Sequence, residues 1–215
     1  MKTTNKQLKI NLFTLFLLAS LTSFSQSIAT YTITFTGNWN STDHSDNGMI
    51  PLPSNDHWSD LVGGTHNSNI TFWEGGQMAT LGIENVAETG NNTQFFNEVD
   101  NAITAGNANQ WLQQPFSPNN AMGTSTIMSI TVSEDFPLLT LVSMIAPSPD
   151  WFAGIHGFSL RDGNNWKDNI SINLFPYDAG TEDGSTYEQP GELQFAEVSV
   201  GEATGSVTLR AEFPN

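Results

Sequence analysis

The 215-residue chain contains no cysteine. That excludes disulfide staples and thiolate chemistry in any compartment. Positive charge is nearly as scarce: six lysines and arginines stand against 22 aspartates and glutamates, for a net charge of −16. Lys2, Lys6 and Lys9 precede every acidic residue, so only Arg161, Lys167 and Arg210 serve the rest of the chain. Such a surface repels nucleic acid and anionic membranes and attracts cations. There is no Gly-x-Ser-x-Gly elbow and no phosphate-cradling glycine loop with a lysine, which removes two common enzyme classes. The apolar run at residues 10–21 is too short to be a good membrane span. With lysines before it and Ser23 and Ser25 after it, residues 1–25 read as a secretory signal peptide cleaved before Gln26. Residues 26–215 are then an exported single domain without a membrane span. Packing must supply the stability that disulfides do not, and a bound metal would add to it.

What is present reads as mainly β. Residues 31–35 (Tyr-Thr-Ile-Thr-Phe) alternate in polarity and are rich in β-branched types, as a half-buried strand requires. Runs at 69–73, 126–132, 138–146, 152–160, 170–175 and 206–213 read the same way, divided by Gly, Pro, Asn and Asp clusters. Residues 138–146 are nearly all apolar, which predicts a central strand buried on both faces. Short strands with turn signals between them predict an antiparallel β-sandwich. Phe95, Phe96, Val99 and Ile103 recur at roughly helical spacing and predict a helix capped by Thr93. Residues 77–89 predict a second short helix closed by Gly90. Residues 106–123, polar and proline-bearing, are expected to form a long loop.

Two stretches place carboxylates on backbone that proline or glycine forces into a loop. One is Pro147-Ser148-Pro149-Asp150-Trp151; the other runs from Tyr177-Asp178 through Glu182-Asp183-Gly184. Hard cations such as calcium take oxygen ligands on tight turns of this kind. A plainer account of Asp150 is a turn aspartate that caps its own backbone, and the residues alone leave both open. Residues 43–48 begin like an EF-hand loop, but Ser54 stands at the twelfth position, where a bidentate Glu is required. That excludes an EF-hand. His44, His57, His66 and His156 lack the spacing of a zinc motif, so zinc through His44, His57 and His66 would need the fold to gather them.

Residues 31–39 (Tyr-Thr-Ile-Thr-Phe-Thr-Gly-Asn-Trp), 57–67 (His-Trp-Ser-Asp-Leu-Val-Gly-Gly-Thr-His-Asn), 72–76 (Phe-Trp-Glu-Gly-Gly) and 87–90 (Ala-Glu-Thr-Gly) follow one another in that order. Residues 143–154, around Pro-Ser-Pro-Asp-Trp, and 174–184, around Tyr-Asp-Ala-Gly-Thr, complete the series. Together they resemble the spondin N-terminal domain, a module of extracellular-matrix and cell-adhesion proteins. The resemblance implies an antiparallel β-sandwich of C2-like architecture, with a divalent cation held between loops at one end. The ligands it implies are Asp150, Asp178 and Glu182, with Ca2+ as the ion. Glu182 departs from the family, which has Asp there, and Asp183 is the competing third ligand. The cysteines and thrombospondin repeats of many relatives have no counterpart here, so their partners transfer weakly.

These readings converge on a secreted calcium-binding module for adhesion or recognition, not an enzyme. Its expected partner is an extracellular protein or a glycan. The alternatives are a secreted hydrolase acting on polysaccharide, which would use paired carboxylates, and a purely structural envelope or matrix component. Trp58, Trp73, Trp111, Trp151 and Trp166 would stack on sugars if exposed and would otherwise be packing residues. Trp111, inside the expected loop, is the one whose exposure matters most. Asn40, Asn69, Asn91 and Asn169 each begin an Asn-x-Ser/Thr sequon.

Overall fold

The computed structural model describes residues 27–44 and 52–182, together with the backbone of 205–212. The signal-peptide segment, Asp183 and the end of the EF-hand-like stretch lie outside the described residues.

Strand β1 (Ile28–Gly37) buries alternate residues, as its sequence predicts. Ala29, Tyr31, Ile33 and Phe35 point inward and the threonines between them stay partly exposed. β1 pairs antiparallel with β5 (Thr124–Ser133) on one side and β12 (Gly205–Glu212) on the other. With β10 (Ile170–Leu174) beyond β12, they make a four-stranded sheet.

The second sheet has the order β11-β7-β6-β3-β4, built from β11 (Pro176–Asp178), β7 (Trp151–Ser159), β6 (Leu138–Ala146), β3 (Leu61–His66) and β4 (Ala108–Gln114). The short β2 (His57–Trp58) also pairs with β6, and β8 (Arg161–Asp162) forms a hairpin with β9 (Asn165–Trp166). β6 is buried at every position after Leu138, so it is the doubly covered central strand expected of an almost wholly apolar run. Leu139, Leu141 and Ile145 meet Tyr31, Ile33 and Phe35 in the core between the sheets. Val142 joins Val62 and Phe152 in a second core against the helices. Each Leu, Ile or Phe so buried contributes roughly 1.5–3 kcal/mol.

The helices form that third layer. After the single turn α1 (Ser41–His44), α2 (Leu81–Thr89) begins where Thr80 Oγ1 accepts the Ile83 N–H at 3.3 Å. Thr80 is in extended backbone, so the helix starts four residues after the expected Gln77. Gly90, with φ 67°, closes it in the left-handed conformation. α3 (Thr93–Thr104) buries Phe95, Val99 and Ala102. Thr93 is its first residue and not its cap; the Asn91 carboxamide oxygen takes the Thr93 N–H at 2.9 Å.

Two further expectations need correction. Residues 69–73 are not a strand: Phe72 and Trp73 are buried in the helix-side core from irregular backbone. Residues 106–123 are not one loop, because β4 runs through them and pairs with β3.

Candidate functional site

The chain leaves β6 at Ala146 and turns through Pro147, Ser148 and Pro149 into β7. Ser148 Oγ accepts the Trp151 N–H at 3.0 Å, and this fixes the turn. Asp150 lies inside it, with no exposed surface. β11 pairs antiparallel with β7 so that Asp178 stands opposite Trp151. That register brings the two acidic loops together. Ala179 N–H then donates to the Asp150 carbonyl at 3.1 Å.

The Asp150 side chain reaches across to the second loop. Its Oδ2 accepts the backbone N–H groups of Thr181 at 2.9 Å and Glu182 at 3.1 Å, and lies 3.4 Å from the Thr181 hydroxyl. Its Oδ1 is buried and has no hydrogen-bond partner among the described residues. A buried polar atom left in that state costs about 1–3 kcal/mol. Asp178 Oδ1 accepts the Gly180 N–H at 2.8 Å, an Asx turn that shapes its own loop. Glu182 contributes its backbone N–H to Asp150 while its side chain is exposed. The loops that carry the three sequence-derived residues therefore meet through their backbones, with Asp150 clasped to the Glu182 N–H and Asp178 opposite Trp151 across the β11–β7 pair. Among the described residues, no three acidic or histidine side chains form a ready-made cage.

One residue of this region escaped the sequence reading. Glu88, in the last turn of α2, is partly buried on the helix face that also carries Glu84. Burial pushes its carboxyl above the ordinary value; the Thr181 hydroxyl pulls the other way, and Glu84, Glu182 and Asp150 add to the push. The i, i+4 spacing of Glu84 and Glu88 marks a shared helix face, but only the packing of α2 shows which way that face looks. A backbone bond from Ala79 N to Ala179 O, at 3.1 Å, joins the segment before α2 to the same loop. The described cations are engaged elsewhere. Arg161 pairs with Glu134 at 3.1 Å and lies over Trp166, and the Lys167 ammonium lies over the Phe158 ring.

The histidines do not converge. His44 contacts Asn40, His57 Nδ1 meets the Asn55 carbonyl, and His66 is buried against Thr140. The tryptophans are packing residues. Trp58, Trp73 and Trp151 are buried. Trp111 is half-buried with its ring edge-to-face against Phe95 and Phe96, and Trp166 Nε1 donates to Ser27 at 2.7 Å. A cavity of about 240 Å³ opens between His66, Phe72, Trp73 and His156, with Glu74 the acidic residue in its lining. Asp178 lines a much smaller recess of about 20 Å³.

Residues 29–213 match the Spondin_N family model. The chain is 34% identical to Spondin-2 of Homo sapiens over 184 residues, which is 85% of this chain and 54% of that protein. Against Spondin-2 of Rattus norvegicus the identity is 33% over the same shares. Against Spondin-1 of Rattus norvegicus it is 33% over 170 residues, 76% of this chain and 20% of that protein. The chain thus spans about half the length of the Spondin-2 relatives and a fifth of the Spondin-1 relatives. Among the described residues, no helix is long and apolar enough to cross a membrane.

Proposed function

The chain belongs to the spondin N-terminal domain family, and on that footing we propose that it is a recognition or adhesion module whose loop end holds one calcium ion. Spondins are secreted extracellular-matrix proteins, which places this member outside the cytoplasm. The observation that carries the calcium reading is Asp150: fully buried, clasped through one oxygen, with the other oxygen lacking a partner among the described residues. Every candidate donor beside it is oxygen, the preference of a hard divalent cation. Asp150, Asp178 and Glu182 would hold the ion, with Asp183 the alternative third ligand. When bound, the ion supplies positive charge between the loops and open coordination positions for a partner's carboxylate or sugar hydroxyl. The turn at Ser148 and the Asx turn at Asp178 set the loop backbone before any ion arrives.

A hydrolase would need a cleft in which two carboxylates face a substrate. Asp150 is enclosed, and among the described residues the recess that Asp178 lines is too small for a sugar ring. Recognition is the reading these shapes favour. Calorimetry with calcium tests it: the parent protein should bind one ion, and Asp178→Asn should bind it much more weakly. Absence of binding by the parent overturns the metal assignment. A glycan and matrix-protein array with and without chelator then tests the role. Chelator-sensitive capture supports recognition, and silence leaves a structural component.

A further inference from the structure

We infer that the cavity beneath residues 67–74 is a socket for one basic side chain, lysine or arginine, presented by a partner protein. The cavity holds about 240 Å³, room for roughly eight waters at ~30 Å³ each. Ile70, Phe72, Trp73 and Leu138 give it an apolar wall, and Glu74 is its acidic residue. No lysine or arginine lines it. None of Asp150, Asp178 and Glu182 lines it either, so a ligand here needs no calcium.

The walls are set before any ligand arrives. Phe72 packs edge-to-face on Phe95 of α3 and on His66, and Trp73 does the same on Phe152 and Tyr177. The Asn67 carboxamide oxygen takes the Asn69 N–H at 2.9 Å, and the Asn67 N–H donates to the Asn107 carbonyl at 2.9 Å, which fixes the start of the covering segment. Opposite it, His66 Nε2 accepts from Thr140 Oγ1, which in turn accepts the Gly157 N–H, so these polar groups satisfy one another. A Cβ added to Gly157 would meet nothing within 4 Å, so the space beside it is open.

Glu74 is the charge left unmatched. It is exposed and makes no ion pair among the described residues, while Arg161 pairs with Glu134 and Lys167 lies over Phe158. A long basic side chain lays its alkyl stem along apolar surface and keeps its charged head at a polar edge. Here the stem would lie along Ile70, Phe72 and Leu138 and the head would reach Glu74. An anionic group finds no cation in this lining, and a neutral one gains nothing from Glu74. The net charge of −16 draws a basic partner from solution. Glu74 and His156 in the lining are both exposed, so one side chain can enter while the partner's backbone stays outside.

The test is nuclear magnetic resonance of the full chain at low ionic strength, following the Trp73 indole and His156 imidazole signals. The probes are N-acetyl-lysine amide, N-acetyl-norleucine amide (the same stem without the ammonium) and butylammonium (stem and head without a backbone). The lysine amide should shift both signals saturably, and the norleucine amide should bind several-fold more weakly. Glu74→Gln should weaken the lysine amide roughly threefold or more. Thr71→Trp, which fills the cavity from its lining, should abolish binding, and Asp162→Asn on the β8–β9 hairpin should leave it unchanged. No saturable shift up to about 100 mM overturns the socket, since that is weaker than any useful contact. Equal binding of the norleucine amide overturns the charge selection. Equal losses from Asp162→Asn and Glu74→Gln also overturn it, because diffuse charge would account for both. Tighter binding of butylammonium than of the lysine amide overturns the partner protein as the source.

Discussion

Asp150 Oδ2 and the backbone nitrogen of Thr181 lie 2.9 Å apart across 31 residues of sequence. With the Glu182 N–H on the same oxygen, one side chain fastens the loop after β6 to the loop after β11. The clasp involves no ion, so its worth is measurable in chelator. Asp150→Ala strips the acceptor from two backbone N–H groups and should cost about 2 kcal/mol or more in urea denaturation with chelator present. Asp150→Asn retains a carbonyl acceptor and should cost less in chelator; on the proposed calcium reading, added calcium should raise the stability of the parent and not that of Asp150→Asn.

Gly154 sits in β7 directly against β6, where an added Cβ would run into the Leu141 carbonyl oxygen. Neither strand can yield, since β6 is covered on both faces. Gly154→Ala should lower the thermal midpoint by roughly 5–10 °C, the equivalent of about 2–3 kcal/mol of overpacking in a domain of this size.

His66 makes stability depend on pH. It is buried, its Nδ1–H donates to the Asn67 carbonyl at 2.9 Å, and its Nε2 accepts from Thr140 Oγ1 at 2.8 Å, with Gly157 N–H donating to Thr140 Oγ1 in turn. Burial holds its pKa below the ordinary 6.5, outweighing the carbonyl contacts that raise it. The unfolded chain therefore takes up this proton at a higher pH than the folded one. The His66 contribution should be complete above pH 6.5 and should shrink as the pH falls below it. Denaturation from pH 7.5 to 5 should show that decline, and His66→Gln should flatten it.

Tyr31 gives the opposite edge. Its hydroxyl donates to the Lys167 carbonyl at 2.6 Å, and burial, with help from Asp168, pushes its pKa up to about 12 against a smaller downward pull from Arg161. Ultraviolet titration should show one of the three tyrosines ionising near pH 12. Stability from this group should be whole below pH 10, the ordinary value, and decline as the pH rises towards 12. Tyr31→Phe should cost about 1 kcal/mol at neutral pH.

Strands that bury a clean pattern were legible in the sequence. β1 alternates and β6 is apolar at all but Thr140 and Ser143, and each occupies the place its pattern implies. β3 was not legible because Gly63 and Gly64 occupy its middle, and glycine ordinarily weakens a strand. Here both residues admit close neighbours: a Cβ on Gly63 would meet the Thr140 carbonyl, and one on Gly64 would meet the Gln110 carbonyl. β4 was hidden by its Asn and Gln residues, which suit an edge strand that buries only Ala108 and Leu112. Phe72 and Trp73 misled in the other direction, since their burial follows from packing beneath the helices and not from strand pairing. At the candidate site, Asp150 and Asp178 were legible because proline and glycine mark their turns. Glu88 was not, because a helix carboxylate reads as a solvated face until the partner surface is known.

The antiparallel register of β1 with β12 puts Thr30 beside Glu212 and Gly37 beside Gly205. The start of one strand and the end of the other thus lie together at the same edge of the domain. If tension is applied between those two points, it pulls the strands apart from that edge and loads the ladder bonds in succession, not all at once. Under such a load the β1–β12 seam would be the mechanical weak line. It would open at low force while the sheet that carries the acidic loops, which does not include this seam, stays folded.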